Sequence, residues 1–345
     1  MQIDIEEFVC NDELSDVGRL SAIIIETMRH HGTITLHTEE LISGEEIGLF
    51  DLLDSLCSYY NWDPTQIQLS YQNYRELENE TRYTVKRIVH SGEQIWPGTL
   101  NDTKNVLQLR DWNKEEMFGM FTGRMNFTRL YAHDKLRKFR YKDQCLSSMN
   151  QAPSDFRVNQ RVLLQYLKES GTSWDEIKDI EPYSDISEVI TPPITLARQQ
   201  FIGWEDIYEK IGIEIVCETA ESQNIVAFTE KLIRPMAYKR PFLLIGSPGL
   251  AHELADENSF IMQKLKTLPI PVGPIRFFQN VIPLNYDNLA GAERVDAVFE
   301  ILDGLIESGM IDTILDDCKD DIEWNHKIAY DWLKNGYNPE GLLNE

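Results

Sequence analysis

Between Gly212 and Gly249 the chain reads as strand, loop, helix start, strand and glycine turn, a succession that suits an α/β fold. Ile213, Ile215 and Cys217 alternate with polar or differently oriented positions, which suits a short strand ending near Glu218. In Phe228-Thr229-Glu230-Lys231-Leu232, Thr229 suits an N-cap, and Glu230 falls in the first turn, where the helix dipole favours negative charge. Lys231 and Arg234, three apart, share one side of that turn, and with Thr229 and Glu230 they are candidate donor contacts, Glu230 alternatively serving only the helix dipole. Pro235 costs about 3 kcal/mol in a helix interior, which predicts a late start or a kink. Phe242 to Ile245 is an unbroken apolar run bounded by Pro241 and Gly246, as expected of a strand buried on both faces of a parallel sheet.

Ligands of open α/β sheets bind beyond the carboxyl ends of the strands, so Glu218 and the Gly246-Ser-Pro-Gly249 turn are expected at one crevice. A carboxylate there can take both hydroxyls of a ribose. Free N–H groups at the helix start, with Lys231, suit a diphosphate. Together these features describe a nucleotide-sugar site.

At these residues the chain resembles the donor-binding half of GT-B glycosyltransferases, in particular the α1,3-fucosyltransferase pattern of a Phe-Glu-Asn-Ser strand end followed by Thr-Glu-Lys-Leu. Here Cys217-Glu218-Thr219-Ala220 stands for the first element, and Thr229-Glu230-Lys231-Leu232 keeps the second intact. It also looks like a broader, largely viral group of glycosyltransferase-like proteins with a Thr-Glu-Lys, Arg-Pro, Arg-Pro-Phe, Gly-x-Pro-Gly run and a later Tyr-Asp…Arg element. In this chain that later element is Asn285-Tyr286-Asp287…Arg294. The likeness is strongest over residues 211–305 and weaker over Phe118 to Arg129. Cys217 and Thr219-Ala220 depart from the fucosyltransferase residues, so GDP-fucose is not supported as donor. The resemblance implies a GT-B-like fold of two Rossmann-like lobes with parallel sheets and an interlobe cleft, and a reaction that moves a sugar from a nucleotide to a hydroxyl acceptor.

Length and composition fit. At 345 residues the chain calls for two domains of about 150 residues each. Its 42% hydrophobic and 10% aromatic content, with seven tryptophans, supplies packed cores. No apolar run approaches the roughly 20 residues that cross a bilayer, and the acidic N-terminus lacks a basic leader, so a soluble, cytoplasmic protein is expected, in a host cytoplasm if the viral likeness is biological. Five cysteines, odd in number and without a Cys-x-x-Cys pair, argue against a disulfide framework or structural zinc.

Along the chain, residues 33–37 alternate as a strand, Glu45 to Tyr60 has helical apolar spacing, and residues 66–71 alternate again after Asp63-Pro64. That βαβ start suits a first Rossmann-like, acceptor-side lobe over residues 1–150. Tyr71 to Asn105 is polar without a clear period and reads as an insertion or loop. Met117 to Thr122 reads as a buried strand with Gly123-Arg124 as its turn, and Val158–Glu169 as helical. Residues 151–195, acidic and proline-bearing, are the expected boundary, and residues 196–345 the donor-binding lobe. From Ala292 the chain is helical, and in GT-B folds a C-terminal helix often returns to the first lobe.

Transfer with inversion needs a base at the acceptor and a cation at the departing diphosphate. Lys231 and Arg124 are the diphosphate candidates, Arg129 has a similar part five residues on, and each alternatively serves a surface ion pair. Tyr286 and Asp287 either pack the rim of the donor pocket or form an ordinary turn. For the base, His37, Glu39 and Glu40 follow the first predicted strand, the glutamates alternatively capping the next turn. There is no Asp-x-Asp metal-diphosphate triplet, so neither a metal nor any cofactor beyond the nucleotide-sugar co-substrate is expected. Asp316-Asp-Cys-Lys-Asp320-Asp321 lacks calcium-loop spacing and reads as a solvated helix end. The adjacent His30 and His31 point apart on a helix and read as surface residues.

A net charge of −24 repels nucleic acid and anionic membranes. The strip from His133 to Lys142, with five cations and interleaved aromatics, is either a docking strip for phosphate or a helix face paired with acidic neighbours. A saccharide or protein acceptor therefore fits better than DNA. The competing readings are a nucleotide-sugar-binding protein without turnover, and an interaction protein whose Thr-Glu-Lys segment is coincidental.

Overall fold

The computed structural model describes residues 1–5, 8–10, 13–14, 16–37, 47–71, 80–88, 111–122, 126–149, 167–168, 173, 183–184, 204–218, 230–259, 262–263 and 273–335. The chain is α/β and divides into two compact units: Met1–Glu93 with Ser222–Ala227, and Gln94–Glu221 with Phe228–Glu345.

The first unit runs β1 (Gln2–Asp4), the small antiparallel ribbon β2 (Val9–Cys10) and β3 (Glu13–Leu14), α1 (Val17–His31), β4 (Ile34–His37), α2 (Leu49–Tyr60), β5 (Ile67–Tyr71) and β6 (Thr84–Ile88). Helix α1 starts where the Asp16 carboxylate accepts the Arg19 N–H at 3.0 Å and stops at Gly32, whose φ of 69° suits a residue without a side chain. It buries Leu20, Ile24, Thr27 and Met28, one stripe at helical spacing. The sheet order is β1-β4-β5-β6, all parallel. Pairing puts Ile3, Leu36, Leu69 and Val85 in one row, and these pack with Leu20, Ile24, Leu53 and Leu56 of the helices. Because side chains alternate between faces, the opposite face carries the polar rows Gln2, Thr35, Gln68, Thr84 and Asp4, His37, Ser70. The predicted βαβ start is present as β4, α2 and β5. β6 falls within the stretch read as a loop, because a five-residue edge strand with a bulge against Leu69 and Ser70 leaves little periodic signal.

The second unit runs β7 (Glu116–Thr122), α3 (Phe127–Lys138), β8 (Cys145–Met149), β9 (Tyr183–Ser184), α4 (Glu205–Lys210), β10 (Ile211–Cys217), α5 (Glu230–Ala237), β11 (Phe242–Ile245), α6 (Leu250–Ala255), α7 (Gly291–Glu307), α8 (Ile314–Asp317) and α9 (Lys319–Asn335). Its sheet order is β11-β10-β7-β8-β9, parallel except for β9. β7 is central. This corrects the expected division: the strand assigned to the first lobe of residues 1–150 belongs with β10 and β11, and the units part near residue 93 rather than at 151–195. Composition could not reveal this, since strand partners are chosen by register and not by neighbourhood in sequence.

Alternation along β7 sorts the helices. Phe118 faces Phe139 and, through it, Phe299 of α7, whereas Phe121 faces Trp204 and Arg234 of α5. Helices thus cover both faces. α9 packs on α5 within its own unit. β10 is buried at every position rather than on alternate ones. Its even positions include Glu214, which lies opposite Gly119, where a Cβ would come within 2.8 Å of Ile211 Cδ1 and the Phe121 ring. β11 is buried on both faces as expected, but it is an edge strand. α5 begins at Glu230 and keeps Pro235 inside, so the late start does not occur.

Candidate functional site

In the second sheet the chain goes from β7 outward to β8 on one side, then returns to β10 and outward to β11 on the other. The strand order therefore reverses between β7 and β10, and the carboxyl ends of these two strands form a topological switch point. Glu218 is the residue immediately after β10. Its N–H donates to Ile245 O at 2.8 Å, and its side chain is buried beside Gly246, where an added Cβ would lie 3.4 Å from Glu218 Cβ. Glu218 and the Gly246–Gly249 turn are thus brought together. Gly249 has a φ of 81°, and its N–H donates to Asp287 O at 2.7 Å. Lys231, in the first turn of α5, is half-buried.

Two of the candidate arginines, Arg129 and Arg234, are committed to buried bonds. Arg129, on α3, is buried and donates through Nε and Nη2 to Cys217 O at 3.2 and 2.7 Å, tying the end of β10 to the helix after β7. Arg234 is buried in the core. There its Nη2 lies 2.7 Å from Glu214 Oε1 and its guanidinium 3.9 Å from the Trp204 ring centre. The Tyr208 hydroxyl donates to the other Glu214 oxygen and accepts from Arg234 Nε at 3.0 Å. Burial pushes the Glu214 carboxyl up while Arg234 pulls it down. A paired, hydrogen-bonded buried charge of this kind is structural, so Arg234 is corrected from donor contact to core residue.

Tyr286 and Asp287 lie in a turn, the second of the two expected readings, with the Asp287 N–H donating to Leu284 O and the Leu289 N–H to Tyr286 O, both at 3.0 Å, but their side chains do more than a turn requires. Tyr286 is buried, and its hydroxyl accepts the Leu244 N–H at 3.2 Å. Arg294 Nε and Nη2 donate to Leu244 O at 3.3 and 3.2 Å. The edge strand β11 is thereby closed by side chains where another strand would otherwise pair.

Asp287 is fully buried and accepts four donors: Arg294 Nη2 at 2.6 Å, Ala251 N at 3.1 Å, and His252 N and Nδ1 at 2.9 and 2.7 Å. Gly249 has no side chain to cap α6, and Asp287 supplies the cap from a distance. Burial pushes the Asp287 carboxyl up, but Arg294 and the amide and imidazole donors outweigh it and hold the carboxyl below its ordinary value of 3.8. The His252 side chain is 55% exposed. No spacing rule singles out His252, because its partner lies 35 positions on.

In the first unit, His37 ends β4 with Nδ1 3.2 Å from the Ser70 hydroxyl. Glu39, Glu40, Arg124 and Thr229 lie outside the described residues, as does the side chain of Glu230. The basic strip is the paired helix face: Lys135 bonds Asp296 at 2.6 Å, Lys138 bonds Asp134 at 2.7 Å, Arg137 lies 4.0 Å from Asp134, and Arg140 pairs with Asp303 and Glu307. His133 is buried with Nε2 2.6 Å from Thr122 Oγ1, and burial, helped by the charge of Arg129, pushes it down to about 3. Burial pushes the Cys217 thiol up to about 12, which makes it inert. Among the described residues no cluster of His, Cys, Asp and Glu could hold a metal ion, and no helix is long and apolar enough to cross a membrane. No protein-family model, curated protein or solved structure matches the chain.

Proposed function

We propose that the chain is a nucleotide-sugar-dependent glycosyltransferase of the GT-B type, working in the cytoplasm, with its donor site in the second unit at the carboxyl ends of β7 and β10. The observation that carries this reading is the coincidence of the switch point with Glu218 and with the close approach of the Gly246 turn. Glu218 would take ribose hydroxyls. Lys231, with Arg124 and the first amides of α5, would neutralise the diphosphate, a role that needs fixed positive charge and no metal. The resemblance at Thr229-Glu230-Lys231-Leu232 supports the same residues. A saccharide or protein hydroxyl suits the acceptor, since the paired basic strip leaves a surface of net charge −24 with little to attract DNA.

One observation favours a second reading, a nucleotide-sugar-binding protein without turnover: Arg129 and Arg234, two of the candidate cations, are held in buried structural bonds. Calorimetry against UDP, GDP, CMP, dTDP and ADP and their sugars, with and without magnesium, tests the site. Saturable, metal-independent binding that Glu218→Ala abolishes is the expected result. Lys231→Ala and Arg124→Ala should each weaken it about tenfold or more, the loss of one charge-assisted contact. A folded protein that binds none of these ligands removes the proposal.

A further inference from the structure

We infer that His252, positioned by Asp287, is the proton acceptor for the incoming hydroxyl; the inference rests on the glycosyl-transfer reading of the site. A base for this reaction must be a ring nitrogen or carboxylate with a free lone pair, held in one orientation and reachable from solvent. His252 meets each requirement. An ionised carboxylate only accepts hydrogen bonds, so the 2.7 Å contact with Asp287 Oδ2 makes Nδ1 the protonated nitrogen and leaves the lone pair on Nε2. The same carboxylate oxygen also holds the His252 backbone N–H at 2.9 Å, so Asp287 anchors both the main chain and the ring of this residue. Asp287 is in turn locked by Arg294, and neither of these side chains has any exposed surface. The His252 side chain, by contrast, is 55% exposed, and no other described residue bonds the ring. Its place is the first turn of the helix that follows the Gly246–Gly249 turn, the same sheet end that carries Glu218.

His37 offers a weaker arrangement. Its Nδ1 faces the hydroxyl of Ser70, which both donates and accepts and so leaves the tautomer undetermined. A carboxylate that stabilises the developing imidazolium is present at His252.

In the step, Nε2 of His252 takes the proton of the acceptor hydroxyl as that oxygen forms a bond to the anomeric carbon. The bond from that carbon to the diphosphate oxygen breaks, and its electron pair leaves on the nucleoside diphosphate. The products are the glycoside with inverted configuration, the nucleoside diphosphate, and an imidazolium that returns its proton to water. Asp287 touches no reacting atom and is a positioning residue.

The test compares wild-type full chain, His252→Asn and His252→Ala for binding of the nucleoside diphosphates and for release of nucleoside diphosphate from the matching sugars, with water or added saccharides as acceptor. Asn keeps an N–H for Asp287 and lacks Nε2. A purely structural His252 therefore predicts wild-type turnover in His252→Asn. The inference predicts unchanged nucleotide affinity, an unchanged melting temperature, a fall in turnover of about 100-fold or more, and partial rescue of His252→Ala by free imidazole. Nucleotide binding with undiminished turnover in His252→Asn overturns the inference and leaves the glycosyl-transfer reading standing. Nucleotide binding without turnover by the wild type overturns it in favour of a binding protein. Absence of any nucleotide binding overturns the reading and the inference together.

Discussion

Arg294 Nη2 lies 2.6 Å from Asp287 Oδ1, and both side chains are entirely shut off from solvent. The pair joins three tasks that the chain keeps far apart in sequence: the cap of α6, the closure of β11 and the orientation of His252.

Removing one member strands the other. Asp287→Ala leaves a buried guanidinium without its anion and α6 without its cap, and should cost about 3–5 kcal/mol in urea unfolding. Asp287→Asn keeps a side-chain acceptor and should cost less. Arg294→Met in the Asp287→Ala background should restore part of the loss, which a double-mutant cycle reads directly.

The Glu214–Arg234 pair makes a prediction of the same kind. Either Glu214→Leu or Arg234→Met alone should destabilise by about 3 kcal/mol or more, while the double variant should be closer to wild type. A double variant as unstable as the sum of the two would mean that the Trp204 and Tyr208 contacts, not the charges, carry the stability.

Stability should depend on pH through His133. Its value of about 3 in the folded protein lies below the ordinary 6.5, so the unfolded chain takes up a proton that the folded one refuses. Stability is full above about 6.5 and falls as pH drops through that window, by up to about 1.4 kcal/mol per unit. Melting curves at pH 7, 6, 5 and 4 should show this slope, and His133→Gln should flatten it. Asp287 contributes only lower, as pH falls below its ordinary 3.8 toward its depressed value.

Gly119 is needed for the space it leaves. A methyl there would meet Ile211 Cδ1 and the Phe121 ring at 2.8 Å, so Gly119→Ala should cost about 1–3 kcal/mol by overpacking, measured by thermal melting. Gly304→Ala, with nothing within 4 Å, is the matched control and should leave the melting temperature unchanged or raised.

How much of this was readable beforehand follows from the range over which each signal acts. Phe242 to Ile245 and the strand at Met117 to Thr122 are apolar enough to be recognised locally, and Glu218 sits at a strand end for the same reason. The partnership of β7 with β10 is long-range pairing, invisible to periodicity, and so the domain boundary was misplaced. Arg234 carries no local mark of burial: a surface cation and a core cation look alike until Glu214, twenty positions earlier, is known to face it. The Tyr286-Asp287…Arg294 element was legible as a motif, but its work on Leu244 is a property of the folded edge.

That closure has a temporal side. Synthesis proceeds from the N-terminus, so β11 emerges about forty residues ahead of Tyr286, and at about 5–20 residues per second its outer backbone waits several seconds for Tyr286 and Arg294. In that interval the nascent chain presents a bare strand that a neighbouring nascent chain on the same message could join. Slowing translation after residue 245 should therefore raise the yield of strand-exchanged oligomers, with the finished protein unaffected.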